Sequence, residues 1–102
     1  MTNTVARKRI EILADAPLLP RLIKAFEGSG IDGYTVFSAL SGGGRTGHWS
    51  EDRLTGTSKI VLMAIASDEH AATLVDRLAP LLDSHRLLLT IATVDVVRGD
   101  RF

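Results

Sequence analysis

Ile60-Val-Leu-Met-Ala-Ile65 is the stretch from which the fold of this chain can be read. An unbroken apolar run of strand length, rich in branched side chains, suits a β-strand covered on both faces. It sets a strand over Ser58–Ala66 in the middle of the sequence. Downstream, Ser67 or Asp68 is placed to cap a helix, and Glu69 complements its dipole. Ala71, Leu74, Val75, Leu78 and Leu82 recur at helical spacing and form its apolar stripe. Pro80 falls within this pattern and is expected to kink or tighten the last turn. Leu87–Val97, long and mostly apolar, reads as a final strand. Upstream, Tyr34-Thr-Val-Phe37 is β-branched and aromatic, which predicts a strand over Tyr34–Leu40. Before it, Leu19, Leu22, Ile23 and Phe26 share one helical face, with Arg21, Lys24 and Glu27 elsewhere. Asp15 followed by Pro17 marks that helix's start, and Gly28 and Gly30 mark its stop. Arg9-Ile-Glu-Ile12 alternates polar and apolar, as a half-buried strand over about residues 7–14 would.

The order is thus βαβ, a long loop, then βαβ. Two crossover units in one short chain predict an α+β ferredoxin-like βαββαβ sandwich, an antiparallel four-stranded sheet with two helices on one face. That architecture leaves the other face of the sheet bare. The last two strands carry apolar residues on both sides, so the bare face is expected to be buried against further copies of the chain.

At 102 residues the chain is expected to form a single domain, residues 1–102. Its 12 basic and 12 acidic residues cancel, so no global field draws it to nucleic acid or membrane. The absence of cysteine excludes disulfides and thiolate metal sites and fits a reducing cytoplasm. No run reaches signal-peptide or transmembrane character, which predicts a soluble protein.

The chemistry concentrates in Ser41-Gly-Gly-Gly-Arg-Thr-Gly-His-Trp49, inside a linker far longer than a strand pair needs. Successive N–H groups of Gly42, Gly43 and Gly44 are able to form an anion-binding nest, and Arg45 adds a bidentate cation for phosphate or carboxylate. The spacing matches neither the P-loop nor the Rossmann fingerprint. A flexible connection with a solvated arginine is the competing reading. Lys59, at the head of the next strand, joins the anion-binding candidates. Trp49 is the only tryptophan and so large an apolar group usually seeks a partner. With His48 and Arg53 it makes the candidate contact for a target protein. Gly30 and Gly33 end the first helix and let the backbone turn tightly into the strand at Tyr34, and glycine there would also let a ligand approach the backbone. Arg98 and Arg101 follow the last strand directly and are placed to reach a ligand at the sheet edge. His48, His70 and His85 lie on three different elements without ligand spacing, so no metal site is expected.

Gly33-Tyr-Thr-Val36 after a first helix, Gly42-Gly-Gly-Arg-Thr-Gly-His-Trp49 after the second strand, and the ending Val96-Val-Arg-Gly-Asp-Arg-Phe102 together resemble the PII signalling superfamily. Within it the chain is most similar to the PII-like branch associated with carboxysomes and bicarbonate transport. The resemblance implies a compact homotrimer with adenine nucleotide, ADP or AMP, in clefts between subunits and bicarbonate as a second effector. It implies a ligand-responsive T-loop at about Ser41–Thr57 that controls a target such as an inorganic-carbon transporter or a carboxysome protein. Gly33–Val36 would flank the nucleotide cleft. Arg45 would contact phosphate or bicarbonate, and Arg98 and Arg101 would complete the site from a neighbour. The chain departs from the wider superfamily in two places. Asp83-Ser-His-Arg-Leu-Leu88 is short and lacks a glycine-rich phosphate loop, and the T-loop has no tyrosine, since Tyr34 is the only one. A mono- or diphosphate nucleotide with a small anion fits this reduced apparatus. The expected activity is regulatory and non-enzymatic, in the cytoplasm or peripheral to a transporter or carboxysome.

Three rival readings share the fold, and one of them, a stand-alone metal-tolerance protein, is disfavoured by the scattered histidines. An acylphosphatase-type enzyme needs an arginine and an asparagine to hold an attacking water, and the sole asparagine is Asn3. An ACT-like amino-acid-binding module places its site at the first strand–helix turn, which here is Asp15-Ala-Pro17 and holds no glycine.

Overall fold

The computed structural model of the chain describes residues 3–44, 47–50 and 58–97. Its element order is β1 (Thr4–Asp15), α1 (Leu19–Glu27), β2 (Thr35–Ala39), β3 (Ser41–Gly44), β4 (Gly47–Ser50), β5 (Lys59–Ala66), α2 (Asp68–Ser84) and β6 (Leu88–Val97), with a short 3-10 turn at Ala16–Leu18 before α1. Four strands form one sheet in the order β2-β5-β1-β6, every neighbouring pair antiparallel. This is the predicted ferredoxin-like arrangement.

Side-chain alternation decides which face the helices cover. Ile10, Ile12 and Ala14 of β1 and Ile60, Leu62, Ala64 and Ala66 of β5 are buried, while the residues between them are half-buried or exposed. Leu22, Ala25 and Phe26 of α1 and Ala71, Leu74, Leu78 and Leu81 of α2 pack onto this inward set. The continuous apolar run of β5 thus serves two purposes. One set of side chains builds the core, and Val61, Met63 and Ile65 face the opposite side of the sheet. Within one copy β5 is covered on a single face, where the sequence predicted two. The open face is not uniformly apolar. Arg9 and Glu11 form an ion pair across it at 2.6 Å.

Other differences from the sequence reading have local causes. β1 starts at Thr4, earlier than predicted, because β6 extends its ladder to the pair Thr4↔Val97. β2 and β6 are each shorter than predicted, starting at Thr35 and Leu88. Asp15 makes no capping bond. Its carboxylate accepts a hydrogen bond from Lys59 Nζ at 2.7 Å, and Pro17 and Pro20 enter the first turns instead. Ser67, not Asp68, caps α2, its Oγ accepting from the His70 N–H at 3.2 Å. The buried stripe of α2 runs through Leu81, with Val75 and Leu82 at its half-buried margin. Pro80 lies inside α2, which continues to Ser84. The glycine run is not an irregular loop. β3 and β4 pair as a ribbon in the register Ser41↔Ser50, Gly42↔Trp49, Gly43↔His48 and Gly44↔Gly47.

A cross-helix clamp ends α1. Arg77 of α2 donates from Nε to the Ala25 carbonyl at 2.8 Å and from Nη2 to the Lys24 carbonyl at 3.4 Å, satisfying two C-terminal carbonyls that have no helical partner. Gly28 leaves the space this guanidinium occupies, and a Cβ there would land on it. Gly28→Ala should therefore push Arg77 off the carbonyls and lower stability by about 1–2 kcal/mol. Chemical denaturation would measure this, and Arg77→Ala combined with Gly28→Ala should be no worse than Arg77→Ala alone.

Candidate functional site

The turn between α1 and β2 is built around Ser29, which is 3% exposed. Its hydroxyl donates to the Phe26 carbonyl at 2.7 Å and accepts from the Ile31 N–H at 3.2 Å. Gly30 then takes φ +88°, a left-handed conformation that favours glycine. The chain turns through Ile31, Asp32 and Gly33 into β2. Between this turn, the C-terminal half of β5 and the first turn of α2 lies a cleft of about 470 Å³. Gly33, Tyr34, Thr35, Met63, Ile65 and His70 are among the residues that line it. Tyr34 is backed by the core, its ring 5.4 Å from that of Phe26 at an interplanar angle of 51°. Among the described residues lining this cleft there is no lysine or arginine, and Asp32 is the one carboxylate.

A second pocket of about 450 Å³ lies elsewhere on the chain, where the ends of β1 and α2 meet the start of β5. It has the opposite character. Lys59, His85 and Arg86 line it together with Asp15 and Ser84. Arg86 holds φ +50°, uncommon for a residue with a side chain. His85 is fixed by a relay. The Ser84 hydroxyl donates to the Pro80 carbonyl at 2.8 Å, so His85 Nδ1–H donates to Ser84 Oγ at 2.7 Å and Nε2 accepts from Arg21 Nη1 at 3.3 Å.

Of the anion- and nucleotide-binding candidates, the structure brings Gly33, Tyr34 and Thr35 together in the first cleft. Val36 is on β2 beside it, 37% exposed and outside the lining. Lys59 lies in the second pocket, paired with Asp15. Register explains the separation. Thr35 pairs with Met63 and Ala39 with Lys59, so Lys59 is displaced along β5 by about 13 Å. Gly42, Gly43 and Gly44 stand in the β3–β4 ladder, which is an extended arrangement and not the predicted nest-forming turn. His48 faces Gly43 in that ladder and is exposed, and the backbone of Trp49 pairs with Gly42. Arg45, Arg53, Arg98 and Arg101 lie outside the described residues.

Sequence reasoning missed Asp32, Met63, Ile65 and the cleft role of His70. The available signal for His70 was its place three residues after the Ser67 cap, which sets it in the first turn of α2 beside the end of β5. Among the described residues, no group of His, Asp and Glu is placed to hold a metal ion. No helix among them is long and apolar enough to cross a membrane.

Known proteins share this sequence pattern and fold. The family model described as "Nitrogen regulatory protein P-II" matches residues 7–101. Among solved structures, CPII of Thiomonas intermedia K12, a nitrogen regulatory PII-like protein bound to ADP, AMP and bicarbonate, is similar with a TM-score of 0.88 at 20% identity, covering 100% of this chain and 98% of that one. A PII-like signaling protein of Thermus thermophilus is similar with a TM-score of 0.80 at 27% identity, covering 98% of each chain. The complex of B. subtilis GlnK with ATP is more distant, with a TM-score of 0.63 at 11% identity over 92% of this chain and 84% of that one. No curated protein matches the chain.

Proposed function

The chain belongs to the nitrogen regulatory protein P-II family, and from that membership we propose a non-enzymatic sensor that binds ADP or AMP, with bicarbonate as second effector, between the copies of a homotrimer. One observation carries the reading. A single copy holds a cleft at Gly33–Thr35 whose described lining carries no lysine or arginine, and a separate cationic pocket at Lys59 and Arg86. A nucleotide needs both, an apolar-walled slot for its nucleoside and cations for its phosphates. Neighbouring copies packed through their open sheet faces would bring one half-site against the other. Arg98 and Arg101 would then reach the ligand from the neighbour.

The β3–β4 ribbon with residues 45–57 is the T-loop in this reading. Arg45 would meet the phosphate or bicarbonate, and His48, Trp49 and Arg53 would present to a target. Ligand contacts that favour one ribbon arrangement would shift its population and so control docking. The target fits an inorganic-carbon transporter or a carboxysome protein, and the chain would act in the cytoplasm or peripheral to such a partner. The ligands named for CPII support the nucleotide and bicarbonate pairing. The family match favours this over the acylphosphatase-type and ACT-like readings.

Calorimetric titration of AMP, ADP and ATP, each with and without bicarbonate, tests the proposal while Trp49 fluorescence follows the ribbon. AMP and ADP should bind with saturation, and bicarbonate should change their affinity by about fivefold or more. The absence of heat and of any emission change in every combination would overturn it.

A further inference from the structure

We infer that His70 is a ligand-binding residue of the first cleft, hydrogen-bonding the nucleoside portion of the bound nucleotide. The inference rests on the nucleotide reading above and adds a residue to that site.

The chain makes room for this ring. Gly30 packs against it, and a Cβ on Gly30 would come within 2.7 Å of both Cδ2 and Nε2 of His70. The glycine at φ +88° thus serves the turn and the seat of the imidazole at once. The backbone N–H of His70 is taken by Ser67 Oγ at 3.2 Å. Its ring nitrogens make no hydrogen bond or ion pair with a described residue. His85 provides the contrast, since Ser84 and Arg21 engage both of its nitrogens. His70 is half-buried, lines the cleft and keeps its ring polar atoms uncommitted. A neutral imidazole offers one donor and one acceptor.

The surroundings decide which part of a nucleotide meets it. Among the described residues no lysine or arginine lines this cleft, and Asp32 would repel a phosphate. Tyr34, Met63 and Ile65 offer apolar surface to a base, and Asp32 offers an acceptor to ribose hydroxyls. The base and sugar fit here, with the phosphates directed to cations elsewhere. A purine edge carries both donors and acceptors, so a single ring nitrogen of His70 finds a partner there in either role.

The test compares adenosine, AMP and ADP binding to the unaltered chain, His70→Ala and His70→Gln. His70→Ala should weaken all three by the same factor, roughly three- to tenfold, since the lost bond is to the portion they share. Glutamine should recover part of the loss by restoring a donor and an acceptor, and it serves as the readable variant should alanine lower the melting temperature. Losses that grow with each added phosphate would overturn the assignment by placing the ring at the phosphate end. Equal affinities in all three proteins would overturn it too, with the nucleotide reading left standing. If the unaltered chain binds none of the three compounds, the nucleotide reading falls and the role of His70 falls with it.

Discussion

Phe26→Ala should remove about 3–5 kcal/mol of stability. At about 4–8 °C per kcal/mol for a domain of this size, the melting temperature should fall by more than about 12 °C. Phe26 is 2% exposed and sits where α1 meets the inward face of the sheet. Alanine there forfeits the transfer free energy of a whole ring and leaves a cavity that neighbouring Leu22 and Leu74, themselves fully buried, have no freedom to fill. The same substitution reaches the cleft. Phe26 backs the ring of Tyr34, and its carbonyl accepts the Ser29 hydroxyl that shapes the Gly30 turn. Tyr34 is 40% exposed, so without Phe26 it keeps few contacts to hold it at the cleft wall. Nucleotide affinity should therefore drop at temperatures where the variant is still folded. Phe26→Leu, which preserves most of the volume, should cost less than about 1.5 kcal/mol and still weaken binding through the lost ring contact. Melts need a fixed protomer concentration, because association adds a concentration-dependent increment. A melting temperature for Phe26→Ala within a few degrees of the unaltered chain would mean that this ring does not carry the core.

The parts of this structure that were legible in the sequence are those written as periodicity. Ile10 and Ile12 alternate with polar neighbours, and Leu22 with Phe26, and Leu74 with Leu78, recur at helical spacing. The apolar run at Ile60–Ile65 needed only one correction, since half of its side chains face away from the helices. What the sequence could not deliver depends on contacts between distant positions. Asp15 reads as a cap by its place before Pro17, but Lys59 lies 44 residues away in sequence and outcompetes the backbone for its carboxylate. Gly42–Gly44 carry no side-chain pattern and have low strand propensity, so nothing in them announces a ribbon. The site divides the same way. Gly33, Tyr34 and Thr35 are legible only through the resemblance of Gly33-Tyr-Thr-Val36 to the PII superfamily, since a glycine before a strand serves the turn equally well. Lys59 shares a sequence neighbourhood with the glycine run, and strand register sets it apart from Gly33–Thr35. The seat of His70 is made by Gly30, which no local reading of α2 would include.

Val61→Glu should convert the proposed trimer into monomers at micromolar concentration and cost at least tenfold in nucleotide affinity. Strand register lays an apolar row across the whole open face. Leu88 pairs with Leu13, Leu13 with Val61, and Val61 with Phe37. In one copy the two ends of this row are bare, Leu88 at 58% and Phe37 at 50% exposure. Cross-strand apolar neighbours on one face reinforce each other, and water contact along four strands is the condition that association relieves. Val61 stands inside the row, between Leu13 and Phe37. A carboxylate at that point would be desolvated with no described cation in the row to pair with it, a cost of several kcal/mol per copy repeated by symmetry at every interface. The Arg9–Glu11 pair does not offer rescue, because its two charges already satisfy each other. In the monomer the new glutamate is solvated and the helix-side core is untouched, so circular dichroism should show an intact fold. Sedimentation velocity reads the assembly, and titration of ADP on the same sample reads the site. The pair of measurements separates two ideas that the trimer joins. A Val61→Glu chain that remains trimeric would show that this face is not the interface. A monomeric chain that binds ADP as tightly as before would show that one copy suffices, and that the Gly33–Thr35 cleft does not need the cations of a neighbour.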